Sequence, residues 1–386
     1  MYDAIVVGAR CAGSSTARLL AQRGHRVLVV DRATFPSDTV STHCIDPVGM
    51  RLLHDWGLAE KVFATNTPPL TKFVLTAGQV EYPADAPGAI CAPRRTVLDK
   101  LLVDEAVAAG AEVREGVSVK ELLRDGDRVT GIAAVDANGD GFEAQARVVV
   151  GADGTNSFVA RAVDAEKYDE RFAKGVGYYA YYSGTPFENV ELAFDLNRFA
   201  GIFPTNDGEV CVFAAREADD FPNMRSDPDA AVIETLLDVN PRIGEGTRNG
   251  TRTSRFFKYD AEPGFFRKPY GDGWALVGDA GFHIDPVTGR GIGHAFRDAE
   301  LLSRALHAGW SGEAPMAEAL AGYHATRDDL SRDIYDWTQQ IASLQWNPDE
   351  LLGLFMNVMM KTIELMDAVP GSSPASPASS GEPVSA

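Results

Sequence analysis

Short β-branched runs punctuated by glycine open the chain. Residues 3–8, Asp-Ala-Ile-Val-Val-Gly, have the pattern of a buried strand ending in a turn; Ser14 to Arg23 reads helical until Gly24 breaks it, and a second apolar run, Val27 to Val30, ends at Asp31. Strand, glycine turn, helix, strand and acid in that order predict a βαβ unit, with Asp31 lying 23 residues after Gly8. Farther on, Leu98 to Ala109 predicts an amphipathic helix and 111–120 a strand, while 128–135 and 142–150 predict two strands joined by the turn-rich Asp136 to Asp140. From about 175 to 215 the pattern turns aromatic and β-branched, which predicts a separate antiparallel sheet. Alternation puts Tyr178 and Tyr182 on one of its faces and Tyr179 and Tyr181 on the other. Trp274 to Val277 predicts a strand, Ile292 to Ala308 a long helix, and 314–345 and 348–367 further helices. The last of these has an apolar stripe through Leu351, Phe355, Val358 and Ile363, open to three readings: core packing, a cavity cap or a dimer face.

Composition narrows the function classes. The 386 residues hold 36 Lys plus Arg against 55 Asp plus Glu, a formal charge of −19, so the surface would repel a phosphate backbone and nucleic acid is excluded as a partner. The charge is uneven: 187–240 holds 12 acids and 3 bases, 241–268 holds 7 bases and 3 acids. Solvated faces account for this, and the sharper alternative is a cationic approach for a phosphorylated cofactor. Cys11, Cys44, Cys91 and Cys211 are too scattered for a disulfide scaffold or a metal site, which fits a reducing cytoplasm. No apolar run is long enough to span a membrane, and the first strand begins at about Asp3, with no room for a signal peptide. Pro370 to Ala386 carries 4 Pro, 6 Ser and one charge, a composition that predicts a disordered tail over 369–386.

Three motifs carry the chemistry. Gly8-Ala9-Arg10-Cys11-Ala12-Gly13 is a dinucleotide fingerprint whose middle glycine has become Arg10. It follows a strand and opens a helix whose amides suit an anion, with Asp31 downstream for a ribose diol. The Arg10 guanidinium either serves an anion or lies on the surface. The second motif, Gly151-Ala152-Asp153-Gly154-Thr155-Asn156-Ser157, runs into Arg161; the third is Gly278-Asp279-Ala280 followed by Asp285-Pro286-Val287-Thr288-Gly289-Arg290-Gly291-Ile292.

In this order and spacing the motifs resemble the class A flavoprotein monooxygenase superfamily, the para-hydroxybenzoate hydroxylase-like fold that also includes geranylgeranyl reductases and flavin-dependent halogenases. The resemblance spans about residues 3–310. It implies an α/β fold in which a Rossmann-like FAD-binding domain (1–69, 91–163 and 270–310) is interleaved with an antiparallel-sheet substrate domain (70–90 and 164–269), followed by a C-terminal helical region (311–368). Gly8, Ala12, Gly13 and the helix after them would hold the FAD pyrophosphate, Asp31 and the adjacent Arg32 the adenosine end, and Asp279 the ribityl or phosphate side. Gly278 and the loop of Pro286, Gly289, Gly291 and Ile292 would flank the isoalloxazine, helix-start amides facing the position where charge develops on reduction. Arg95 matches a family arginine that reaches the flavin, and Asp153 and Arg161 match a motif linked to FAD and the nicotinamide cofactor. Two departures stand out: the missing middle glycine, and Gly293 where many hydroxylases have asparagine.

The leading activity implied is hydroxylation. NAD(P)H reduces FAD, dioxygen adds at flavin C4a, and the hydroperoxide delivers one oxygen to an aromatic or polycyclic small molecule of specialised metabolism. His43, His283 and the loop residue Pro286 are the catalytic candidates, the histidines as bases for a phenol or as plain packing histidines. Tyr179, Tyr181 and Phe203 are the substrate-lining candidates. The halogenase Trp-x-Trp-x-Ile-Pro signature is absent. The reductase Tyr-x-Trp-x-Phe-Pro element reads Phe199-Ala200-Gly201-Ile202-Phe203-Pro204, with glycine in place of tryptophan. A flavin-dependent reductase of an isoprenoid or conjugated alkene is therefore the second reading, and a flavin-binding module without turnover the third. No metal is implied, and a monomer or homodimer is expected.

Overall fold

The computed structural model describes residues 1–369 apart from 79, 173 and 261. The predicted tail thus lies outside the described residues, with one correction at its boundary. Val369 is 1% exposed, and its carbonyl accepts from Arg51 Nη2 at 2.7 Å, so packing continues one residue past the predicted limit.

The β-branched run at the start forms strand Tyr2–Val7, flanked in parallel by Val27–Asp31 on one side and Gly141–Gly151 on the other. Buried on both faces, such strands need apolar residues at every position, and Ile5, Val6, Leu28, Val29, Val149 and Val150 are all fully buried. Glu112–Glu115 extends the sheet beyond Val27–Asp31, and Trp274–Leu276 joins its other side beside Gly141–Gly151, again in parallel. A strand from late in the chain therefore completes a sheet begun at residue 2. The 111–120 segment, expected as one strand, divides at Gly116 (φ +70°) into Glu112–Glu115 and Ser118–Asp125.

The second large sheet is the aromatic one. Gly175–Ser183, Val210–Glu217, Arg198–Pro204 and Val190–Asp195 pair antiparallel in that spatial order, and Leu70–Ala77 with Val80–Ile90 extend it past Val190–Asp195. Its two faces differ. Tyr178, Ala180 and Tyr182 pack with Val232, Leu236 and Val239 of helix Pro228–Val239, whereas Tyr179 and Tyr181 share a core with Phe199, Phe203, Phe213, Tyr259 and Val287. The C-terminal helices Met316–Ala342 and Pro348–Ala368 close that second core through Ile341, Leu351, Phe355 and Val358.

Four of the seven bases of the basic stretch are paired with acids: Arg242 with Glu81 and Glu191, Arg248 with Glu245, Arg252 with Asp229 and Lys258 with Asp260.

Candidate functional site

All three motifs meet at the start of helix Cys11–Gln22. Gly8 has φ +104°, and a Cβ there would lie 2.4 Å from the Ala152 carbonyl oxygen; one on Gly13 would lie 1.8 Å from the Gly8 carbonyl oxygen and 3.2 Å from Ala152 Cβ. The third motif closes on the same point, because a Cβ on Gly278 (φ +61°) would stand 2.8 Å from that of Ala12. Asp31 ends its strand with Oδ2 accepting from Ala9 N at 2.7 Å and Oδ1 from Ala33 N at 2.8 Å. A carboxylate has about four acceptor sites, so both oxygens keep capacity for a diol. The cradle is open where a ligand would need it: nothing lies within 4 Å of the Cβ positions of Gly154 and Gly291. A helix N-terminus with free amides, a glycine cradle and an aligned ribose acid fit the pyrophosphate and adenosine side of FAD. Arg32 is exposed just past the strand end.

Arg10 serves an anion of the protein itself, the buried Asp99 carboxylate. Its Nη1 donates to Asp99 Oδ2 at 2.5 Å, and Nη2 donates to Ser37 Oγ and to Asp38 O, each at 3.2 Å. Arg95 reaches the same carboxylate from the other side through Nε at 3.0 Å. It is the first residue of helix Arg95–Ala108, and Asp99 lies one turn on, fully buried. Burial opposes the charge on Arg95, but the carboxylates of Asp99 and Asp279 favour it and leave the pKa raised.

Asp153 turns inward to the local backbone. It accepts from Ser157 Oγ at 2.5 Å and from Phe158 N at 2.7 Å, which orders the start of helix Phe158–Ala162, while Arg161 is exposed and donates to Asn156 O. These two residues do not converge on the glycine cradle as side chains; the motif meets it through the Ala152 backbone.

The Gly278 loop is braced from behind by two arginines. Arg327, fully buried, donates to Gly281 O at 3.1 Å and to Arg267 O at 2.9 Å, and Arg267 donates to Ala280 O at 2.9 Å. His283 follows, with Nδ1 3.6 Å from Asp279 and Nε2 4.0 Å from Glu262. Burial lowers its proton affinity, yet Asp279, Glu262 and Asp285 reverse that and leave the pKa raised. Asp285 then caps the Pro286–Thr288 turn by accepting from Val287 N at 2.9 Å, and takes the Tyr259 hydroxyl on its other oxygen at 2.9 Å. The loop returns through Gly289 (φ +68°), packed against Cys44, into helix Gly291–Ser311. Ile292 is buried in the first turn of that helix.

Gly293 has a definite reason. A Cβ there would lie 2.1 Å from Asp46 Oδ1, and Asp46 both caps helix Pro47–Asp55 through Gly49 N and accepts from Arg290 Nη1 at 2.7 Å. The glycine thus makes room for a buried ion pair that ties the flavin-loop arginine to the second helix. Asp46 could have been found in the sequence, since Asp46-Pro47 is an N-cap followed by a first-turn proline. Asp99 carried no such signal.

His43 sits on the opposite wall, fully buried, at φ +64°. Its Nε2 lies 2.6 Å from the Tyr181 hydroxyl, and its ring meets those of Tyr179 and Tyr181 edge-on. Burial first, then Arg95 and Arg94, push its pKa down to about 3. The imidazole is therefore neutral, with the phenol, whose own pKa is driven up by burial, as donor to Nε2. Phe203 also faces this wall: a Cβ on Gly201 would meet its ring at 2.8 Å, so the Phe203 ring occupies the space a larger side chain at 201 would take. No group of three or more His, Cys, Asp or Glu among the described residues is arranged to hold a metal, and no helix among them is long and apolar enough to cross a membrane.

Comparisons with known proteins agree with this geometry. Over residues 1–338 the chain matches the FAD binding domain family. It is 29% identical to digeranylgeranylglycerophospholipid reductase 2 of Methanopyrus kandleri over 75% of this chain and 73% of that one. It is 28% identical to the rifampicin monooxygenase of Streptomyces venezuelae, over 96% and 79%. In fold it is similar to the flavin-dependent brominase Bmp2, with a TM-score of 0.82 at 20% identity, covering 95% of this chain and 93% of that one. The chain belongs to the FAD binding domain family, within the class A flavoprotein superfamily, and is an FAD-dependent oxidoreductase.

Proposed function

We propose that the protein is an NAD(P)H-consuming monooxygenase that hydroxylates an aromatic or polycyclic small molecule of specialised metabolism. The observation that carries this reading is the aromatic face of the second sheet, which adjoins the Pro286–Thr288 loop and shares a core with Val287. Tyr179 stacks on Phe257 at 4.8 Å and on Phe213 at 6.0 Å, and Tyr259 joins Phe213 to Asp285 in that loop. Such a wall suits a flat, mostly apolar substrate carrying a few hydroxyls. FAD, when bound, supplies electron transfer and oxygen activation. The protein's own residues do the rest. Gly8, Gly13 and the amides of Cys11–Gln22 bind the pyrophosphate, and Asp31 the ribose. Asp279 beside His283, whose proton affinity it raises, sets the charge beside the loop. Neutral His43 orients the Tyr181 hydroxyl, and the stacked rings exclude water. The domain division proposed is the FAD fold over 1–69, 91–163 and 270–310 and the substrate domain over 70–90 and 164–269. The four free cysteines are all buried, which suits the cytoplasm proposed for it.

With substrate present, oxygen uptake should match NAD(P)H oxidation one for one and the product should gain one oxygen atom, read by an oxygen electrode and mass spectrometry. The likeness to the Methanopyrus kandleri reductase supports a second reading, flavin-dependent reduction of a conjugated alkene. Anaerobic turnover with a gain of two hydrogens would select it over hydroxylation.

A further inference from the structure

We propose that Arg10, standing where the fingerprint has its middle glycine, is a positioning residue that fixes the segment 34–44 against the inner face of the aromatic sheet. The proposal rests on the reading that this face binds the substrate. Residues 37–44 have no helix or strand. Among the described residues, none of 34–44 makes a backbone-to-backbone hydrogen bond, although Ala33 before them and Ile45 after them do. A polar backbone without a ladder must be held by side chains or water, and the side chains are few. Glu115 accepts from Phe35 N at 2.7 Å, and the Tyr179 hydroxyl donates to Thr39 O at 3.3 Å. Between those two anchors Arg10 donates to Ser37 O at 3.4 Å and to Ser37 Oγ and Asp38 O at 3.2 Å each, and stands 5.5 Å from the centre of the Phe35 ring, while Asp38 Oδ1 accepts from Thr39 N at 3.0 Å.

The arginine is itself held. Asp99 is fully buried and takes Arg10 and Arg95 together, so the guanidinium is aimed before the segment docks on it. A planar fork with five donors can serve a carboxylate, two carbonyls and a hydroxyl at once, which an ammonium cannot. What the segment delivers lies at its far end. Thr39 meets Tyr179, His43 meets Tyr181, and Cys44 packs on Gly289 of the flavin loop. Arg10 thus links the start of the cofactor helix to the two tyrosines proposed to line the substrate, through a stretch with no regular structure of its own.

Hydrogen–deuterium exchange followed by mass spectrometry on the full chain, with and without FAD, tests this. In Arg10→Ala, the amides of the segment that have side-chain acceptors, Phe35 to Glu115, Thr39 to Asp38 Oδ1 and His43 to Ser41 Oγ, should exchange at least about tenfold faster than in the wild type, in FAD-loaded and FAD-free protein alike. Arg10→Lys, which keeps the Asp99 pair but cannot span both carbonyls, should fall between the two and serves if the alanine variant does not fold. Unchanged exchange over 34–44 in both variants would overturn the proposal. So would acceleration confined to FAD-free protein, because Arg10 would then act through the cofactor. These readouts do not depend on oxygen uptake, so failure of the hydroxylase reading would be seen separately.

Discussion

Two histidines face the same region of the molecule and carry opposite charge preferences. His43 is stripped of its proton by burial and by Arg95 and Arg94, whereas for His283, also largely enclosed, Asp279, Glu262 and Asp285 outweigh burial and raise the pKa. Burial pulls both pKa values down, so the difference comes from the sign of the charged neighbours. Arginines therefore surround the buried histidine on the aromatic side, and carboxylates the one on the Gly278 loop.

The largest test of this contrast lies in acid stability. His43 has a pKa of about 3 when folded and about 6.5 when unfolded, so below pH 6.5 the unfolded chain takes up the proton first and folding weakens, by up to ~1.4 kcal/mol per pH unit. Asparagine tolerates the left-handed backbone at 43 and does not titrate. His43→Asn should be destabilised at neutral pH yet lose that slope in urea melts between pH 6.5 and 3; an unchanged slope would place the proton uptake elsewhere. Next in size, Asp279→Asn should lower the pKa of His283, followed by NMR titration, while Glu262→Gln, at 4.0 rather than 3.6 Å, should lower it less. The sign follows from linkage. His283 contributes stability that is present below its unfolded pKa and lost as pH rises through the folded one, and Asp279→Asn moves that loss to lower pH. Smallest is Arg94→Met. It removes a positive neighbour of His43 that matters less than burial or Arg95, and should raise that pKa only slightly, read by NMR titration of the His43 ring.

The sequence shows the buried parallel strands because apolar runs bounded by glycine leave few alternatives, and it shows the alternation of Tyr178 to Tyr182 because a strand has a period of two. It also marks helix starts that are easy to pass over. Asp46-Pro47, Asp227-Pro228, Asn240-Pro241 and Asn347-Pro348 each open a helix with the Asx side chain accepting from a first-turn amide. Of these only the last was anticipated, through the predicted 348–367 helix. What the sequence hides is partnership at long range. Nothing local pairs Asp99 with Arg10, 89 residues away, or Asp46 with Arg290, 244 away. The roles of Arg10 and Gly293 depend on those partners, so their departures from the family pattern read as losses until the partners are in view.

The late strand Trp274–Leu276 has a bearing on how the chain is made. It lies directly beside Gly141–Gly151, and the Gly278 turn after it packs on Ala12. During synthesis the cofactor cradle stays open on one side until about residue 280 has left the ribosome, by which time the strands of the aromatic sheet have all emerged. A nascent chain stopped before residue 270 should therefore hold FAD poorly however complete its fingerprint.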